Sequence, residues 1–241
     1  FNQWGRTGTG EGQFLRPQCI AAADDGTFYV ADTENRRIQR FTAEGAFVDQ
    51  WGGEGSGEGQ FDWPRGIAVA DDGTIYVVDT LNHRIQRFTA DGSFLAQWGG
   101  EGGSMGQFVF PVDIAVTGDG TVFVTDGIGD RIQRFTADGQ ILDQWSVDFA
   151  HRMAAAGDGT IYVSGYNIRQ FAADGDLLNQ WGAAGSESGE FTLPRDVAVA
   201  GDGTVYVADS GNDRVQRFTA DGACISRGGR RGSGEEQSSC P

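Results

Sequence analysis

The chain has 241 residues, 39% apolar and 11% aromatic, enough for one globular body or a short repeat array with a real core. Its formal charge is −16, from 34 acidic residues against 18 basic ones, every one of them Arg. That balance disfavours nucleic acid and anionic membrane surfaces, which need net attraction to phosphate, and no apolar run is long enough to insert into a membrane.

Phe1 opens the chain without a Met or a signal-like segment, as expected of a mature form or a piece of a larger chain. Residues 1–5 read as a lone β-strand ending at Trp4. From there Trp4, Trp51, Trp98, Trp145 and Trp181 recur at intervals of 47, 47, 47 and 36 residues. A fixed period of this size marks a repeat array. The units are expected at about 6–52, 53–99, 100–146, 147–182 and 183–228, within a single domain spanning 1–241.

Each unit has an apolar pattern of period two and no helical periodicity. In 66–79, "GIAVADDGTIYVVD", two β-rich runs flank Asp72-Gly73, a strong hairpin signal. "RIQRF" and "FLAQW" follow, joined through Asp91-Gly92, so each unit holds four strands, a to d. Strand a is rich in Ala, as crowding near a central axis would demand. The fourth unit is shortened, by 8 residues before its a–b hairpin and 3 in its b–c turn. The tail 229–241 aligns with the Gly-rich connector that precedes strand a elsewhere, in degenerate form.

A four-stranded sheet that is apolar on both faces must pack against its neighbours, and radial repetition accomplishes this with short exposed edges. The residues "GEGQFDWPRGIAVADDGTIYVVDTLNHRIQRFTADGSFLAQWG" (57–99) also resemble an NHL repeat, and the resemblance covers essentially the whole chain. It implies an all-β propeller of four-stranded antiparallel blades. Five blades are expected, closed by the N-terminal strand, which would displace the weak "CISRG" of the fifth unit; an incomplete six-bladed ring is the alternative.

The three cysteines show no metal-ligand spacing, and a Cys224–Cys240 bridge would close a short terminal loop. Asp residues gather in the hairpins, where turn chemistry favours them. Four pairs recur across the b–c turn, Asp32/Arg37, Asp79/Arg84, Asp126/Arg131 and Asp209/Arg214. Their recurrence in almost every unit marks them as structural turn pairs. Positions where the units disagree are better site candidates: Arg65, His151 and Arg195 at the start of strand a, with Asp113, Arg152 and Asp196 one residue later. The fourth unit adds Phe149 and Tyr166 on a lowered rim.

NHL-like propellers include metal-dependent lyases with several inner-strand His residues, but only His83 and His151 exist here. No catalytic set, metal or cofactor is therefore expected, and the chain reads as a non-enzyme. It is expected to be a recognition or scaffold propeller, part of a larger chain, that binds a protein, peptide or glycan. A metal-dependent lyase or lactonase-like enzyme, and single-stranded RNA binding on Arg-bearing loops, are the alternatives.

Overall fold

The computed structural model describes residues 4–229 and 237–239. A short parallel pair, β1 (Arg6–Thr7) and β2 (Gln13–Phe14), precedes five sheets. The first holds β3 (Cys19–Ala22), β4 (Phe28–Asp32), β5 (Arg37–Phe41) and β6 (Phe47–Gly52). The second holds β7 (Pro64–Val69), β8 (Ile75–Asp79), β9 (Arg84–Phe88) and β10 (Phe94–Gly99). The third holds β11 (Pro111–Val116), β12 (Val122–Asp126), β13 (Arg131–Phe135) and β14 (Ile141–Ser146). The fourth holds β15 (Met153–Ala155), β16 (Ile161–Ser164), β17 (Ile168–Phe171) and β18 (Leu177–Trp181). The fifth holds β19 (Pro194–Val199), β20 (Val205–Asp209), β21 (Arg214–Phe218), β22 (Cys224–Gly228) and an added β23 (Gln237–Ser239). Strands pair in chain order, as the hairpin signals require.

Burial explains the two apolar patterns. The b strands FYVAD, IYVVD and VFVTD are buried at every residue, because both of their faces are covered. The outer strands FVDQWG and FLAQWG alternate between half-buried and exposed. At the a–b hairpin the Thr74 carbonyl accepts from Ala70 N–H (2.9 Å) and the Ala70 carbonyl from Gly73 N–H (2.9 Å). Gly73 sits there at φ +81°, where a side chain would be strained.

The chain forms two compact units. One comprises residues up to 116 with 120–129 and 133–143; the other comprises 117–119, 130–132 and residues from 144 on. In the first, each blade is locked to the next at two points. Tyr29 and Tyr76 donate their hydroxyls to the carbonyls of Ala90 (3.2 Å) and Ala137 (3.1 Å) in the following blade's c–d hairpin. Trp51 and Trp98 lie flat against Gly92 and Gly139 of the same hairpins, where a Cβ would come within 2.6 Å of the indole. The second unit repeats both contacts, Tyr162 on Ala220 (3.3 Å) and Trp181 on Gly222.

Trp4 takes the corresponding place on the first blade, against Gly45 and the rings of Phe28 and Phe41 (4.8 and 5.1 Å). Of the segment expected to close the fifth blade, residues 1–3 lie outside the described residues, and Trp4 is not in a strand. The fifth blade's fourth place belongs to Cys224–Gly228, which the sequence suggested would be displaced. Strand β22 pairs fully with β21, from Val215↔Gly228 to Phe218↔Cys224, since a ladder needs backbone rather than large side chains. Its outer edge pairs in turn with β23, from the tail expected to be only a connector. An unpaired edge accepts an extended segment that can reach it. Cys224 is disulfide-bonded; Cys240, its anticipated partner, lies outside the described residues.

Candidate functional site at the connector end of the blades

The recurrent Asp/Arg pairs hold more than their own turn. Arg84 donates from Nε to Asp79 (2.8 Å), and from its two terminal nitrogens to the carbonyls of Ser56, Gly57 and Gln60 (2.7–2.9 Å) and to Gln97 Oε1 (2.7 Å). Asn82 and Gln86 also donate to Asp79, which is fully buried and accepts the N–H of Asp62. Arg84 thus staples the Gly-rich connector 55–60 to the b–c turn, and the two share one end of the blade. Arg37 with Asp32 and Arg214 with Asp209 repeat the arrangement at 2.8 and 2.7 Å. In the third blade Asp126 accepts from Phe110 N–H (2.7 Å), and Arg131 donates to Gln144 (3.1 Å). Burial pushes the Asp79 carboxyl above its ordinary value, against the donors from Asn82, Asp62 and Arg84.

The hairpin Asp residues do turn work at the opposite end. Asp72 accepts from Thr74 N–H (2.9 Å) and Asp202 from Thr204 N–H (2.9 Å), while Asp91 accepts the Thr89 hydroxyl. These bonds hold all three carboxyls below their ordinary value.

The variable positions at the start of strand a coincide with β-bulges. The register shifts between Pro64 and Ile67, between Pro111 and Asp113, and between Pro194 and Asp196, so Arg65, Val112 and Arg195 fall in bulges. A bulge re-aims a side chain out of the pleat. In the first unit the Arg65 guanidinium lies 5.6 Å over the Phe110 ring. Asp113 packs over Gly66, where a Cβ would stand 2.8 Å from the Asp113 Cα. Arg65 and Asp113 are thus gathered around Gly66, but Asp113 is only 4% exposed.

In the second unit Phe149 and Tyr166 are brought into contact, with ring centroids 4.4 Å apart and planes tilted by 46°. They are 57% and 61% exposed. Phe149 N–H donates to Asp130 (3.1 Å), and Arg169 donates to the Asp148 carbonyl (3.0 Å). His151 is exposed and pairs through its N–H with the Ser164 carbonyl (2.8 Å). Arg152 is 7% exposed, and its N–H donates to the Ser164 hydroxyl (3.2 Å). Arg195 and Asp196 are exposed on β19.

Sequence reasoning passed over the residue before the proline that leads into strand a in the first, second and fifth blades. Arg16, Trp63 and Leu193 have φ of +47°, +63° and +55°, and Phe149 takes the same position in the fourth blade at +55°. Left-handed backbone is strained in a bulky residue. The segments "FLRP", "FDWP" and "FTLP" share their pattern with "FVFP" of the third blade, where Phe110 is not left-handed, so the sequence did not mark the conformation.

The NHL repeat family matches residues 14–41, 61–88 and 191–218, the b–c cores of the first, second and fifth blades with their approach segments. The chain carries three segments that match the NHL repeat, within a β-propeller fold. No curated protein matches this propeller chain. Solved structures similar to the NHL-repeat chain include a catalytically inactive virginiamycin B lyase from Staphylococcus aureus with quinupristin. That likeness has 16% identity and a TM-score of 0.67, over 93% of this chain and 77% of the lyase. A gluconolactonase from Xanthomonas campestris matches at 20% identity and a TM-score of 0.66, over 89% and 76%. A chain of a nidogen/laminin complex matches at 17% identity and a TM-score of 0.66, over 88% and 79%. At such identities the likeness shows the fold alone.

These neighbours overturn one expectation from sequence. The scarcity of His suggested a non-enzyme, yet the propellers that share this fold include a lyase and a lactonase. A missing His cluster argues only against one metal chemistry, and a fold hosts many. Among the described residues, no helix is long and apolar enough to cross a membrane.

Proposed function

We propose that this chain is a recognition propeller that engages a protein or peptide partner at the connector end of its blades, with the fourth and fifth blades forming the contact surface. The observation that carries this reading is the pair of large apolar side chains, Phe149 and Leu193, held outward on left-handed backbone. Each such residue costs on the order of 1–3 kcal/mol relative to a relaxed conformation, and Gly would relieve it. Phe149 and Leu193 stand there 57% and 63% exposed, so burial does not repay the strain. Contact with a partner would. Exposed aromatic residues on hydrogen-bonded loops suit a protein partner, because they supply contact area at little cost in ordering. Arg195, Asp196 and His151 supply polar contacts around them, and Arg65 does so at the connector end of the first unit. The nidogen/laminin neighbour supports a protein partner, as one use to which this architecture is put.

Selection of a displayed random-peptide library on the intact chain tests the reading. Enriched peptides are expected to lose about tenfold or more in affinity on Phe149→Ala/Tyr166→Ala, as hot-spot truncation does, with an unchanged melting temperature. Peptides that bind the double variant equally well, or no enrichment over a blank surface, would overturn it.

A further inference from the structure

We infer that the Phe149–Tyr166 pair is an anchor for one apolar side chain of an extended peptide segment, and that the partner's residues flanking that side chain are Lys or Arg. The inference rests on the recognition role proposed above and names the chemistry of what is recognised.

The geometry supplies the anchor. Two rings with centroids 4.4 Å apart and planes at 46° touch each other, and their exposed outer edges together form one shallow, wedge-shaped apolar ledge. A proline or an aliphatic side chain can lie across the exposed edges of both rings at once. The wedge is held before any partner arrives. Phe149 N–H is bonded to Asp130, Arg169 is bonded to the Asp148 carbonyl, and Gly165 N–H is bonded to the Asn167 carbonyl (3.0 Å). Gly165 presses so closely on the Phe149 carbonyl that a Cβ would stand 2.7 Å from its oxygen. Shortening of the b–c turn therefore sets Tyr166 against Phe149.

Charge supplies the flanks. Asp148 is exposed beside Phe149, Asp130 lies under the Phe149 N–H, and the connector of the next blade carries Glu187 and Glu190. Among the described residues, the cations at this end of the second unit include Arg131 and Arg152, both buried, Arg169, engaged with the Asp148 carbonyl, Arg195 and Arg214, with His151 beside them. Arg214 is consumed by Asp209 and three connector carbonyls. The whole chain adds a field of −16. Such a surface draws in a cationic segment and repels phosphate-rich partners.

The test uses the intact chain and two sets of synthetic peptides on an array. All carry a central Pro, Leu or Phe; one set is flanked by Lys and Arg, the other by Glu and Asp. Basic-flanked peptides are expected to bind at least about tenfold more tightly, and to weaken several-fold as salt is raised past physiological strength. Phe149→Ala/Tyr166→Ala should abolish the preference for an apolar centre. Asp148→Lys, which leaves both rings in place, should reduce affinity for the basic set and flatten its salt dependence. Equal binding of the two sets, or preference for the acidic one, would overturn the inference. If peptides from the random library depend on Phe149 yet carry no basic flank, the recognition role stands and this inference falls. If no peptide in either experiment depends on the wedge, both fall.

Discussion

Arg84→Met should cost this protein about 3–4 kcal/mol of stability near neutral pH. The guanidinium is the only full positive charge bonded to Asp79 among the described residues, and Asp79 is fully buried. Two unit charges about 4 Å apart interact by about 4 kcal/mol at an effective dielectric constant of about 20, and breaking a buried pair from one side costs about 3–5 kcal/mol. Met keeps the aliphatic stem packed, so little of the loss comes from a cavity. The carbonyls of Ser56, Gly57 and Gln60 lose their donors too, but the connector is partly exposed and water can replace them.

The pH dependence follows from the same carboxyl. Burial already raises Asp79 above its ordinary value, and loss of the guanidinium raises it further. A carboxyl with a raised folded value penalises folding above that value, and the penalty is relieved as pH falls through it towards 3.8. The gap between wild type and Arg84→Met should therefore narrow on acidification, and Asp79→Asn/Arg84→Met should recover much of it at neutral pH. Urea denaturation followed by tryptophan fluorescence measures all three. A loss below about 1 kcal/mol, the worth of an exposed pair, or no recovery with Asn at 79, would refute the reasoning.

Gly92→Ala should destabilise by more than about 1 kcal/mol, since it combines a left-handed backbone at φ +81° with a contact of 2.6 Å on Trp51. Gly157→Ala, which has open space around it, should be near neutral in the same thermal melt. Tyr76→Phe removes the hydroxyl bonded to Ala137 and leaves that carbonyl short of a donor; about 0.5–1.5 kcal/mol should be lost in denaturant titration. The hairpin carboxyls Asp25, Asp91, Asp138, Asp158, Asp202 and Asp221 are held below the ordinary 3.8, chiefly by bonds from neighbouring Thr residues. Their contribution is complete above 3.8 and is lost as pH falls through the lowered values. Replacing Thr89, Thr136 and Thr219, whose hydroxyls donate to Asp91, Asp138 and Asp221, together by Val should move the acid unfolding midpoint, followed by circular dichroism, to higher pH.

The blades were legible because each strand states its burial in its own pattern. "IYVVD" reads as continuous and "FLAQW" as alternating, and the Asp-Gly pairs mark where the chain reverses. The Asp/Arg pairs were legible as structure because they recur. Their target was not, since the connector lies 24 to 28 residues upstream of Arg84 and only the fold brings it back. The burial of Arg152 was hidden for a related reason. Strand position identifies the end of the blade but not whether neighbours close over the side chain. The left-handed residues escaped because backbone sign leaves little trace in a non-glycine residue. Phe149 and Tyr166 were named from irregularity alone, and their ring contact needed coordinates.

The staple also bears on how such an array changes over time. Each Arg grips a loop encoded just upstream in its own repeat, so loop and lock travel together when a repeat is copied or trimmed. The fourth repeat shows the joint loss: the Gly-rich connector is absent, and Gly165 and Asn167 stand where Asp and Arg stand elsewhere. Neither half was left behind as an orphaned buried charge. Surface variety of this kind can accumulate one repeat at a time, and a graft of one repeat's connector should succeed only when its b–c turn is carried with it.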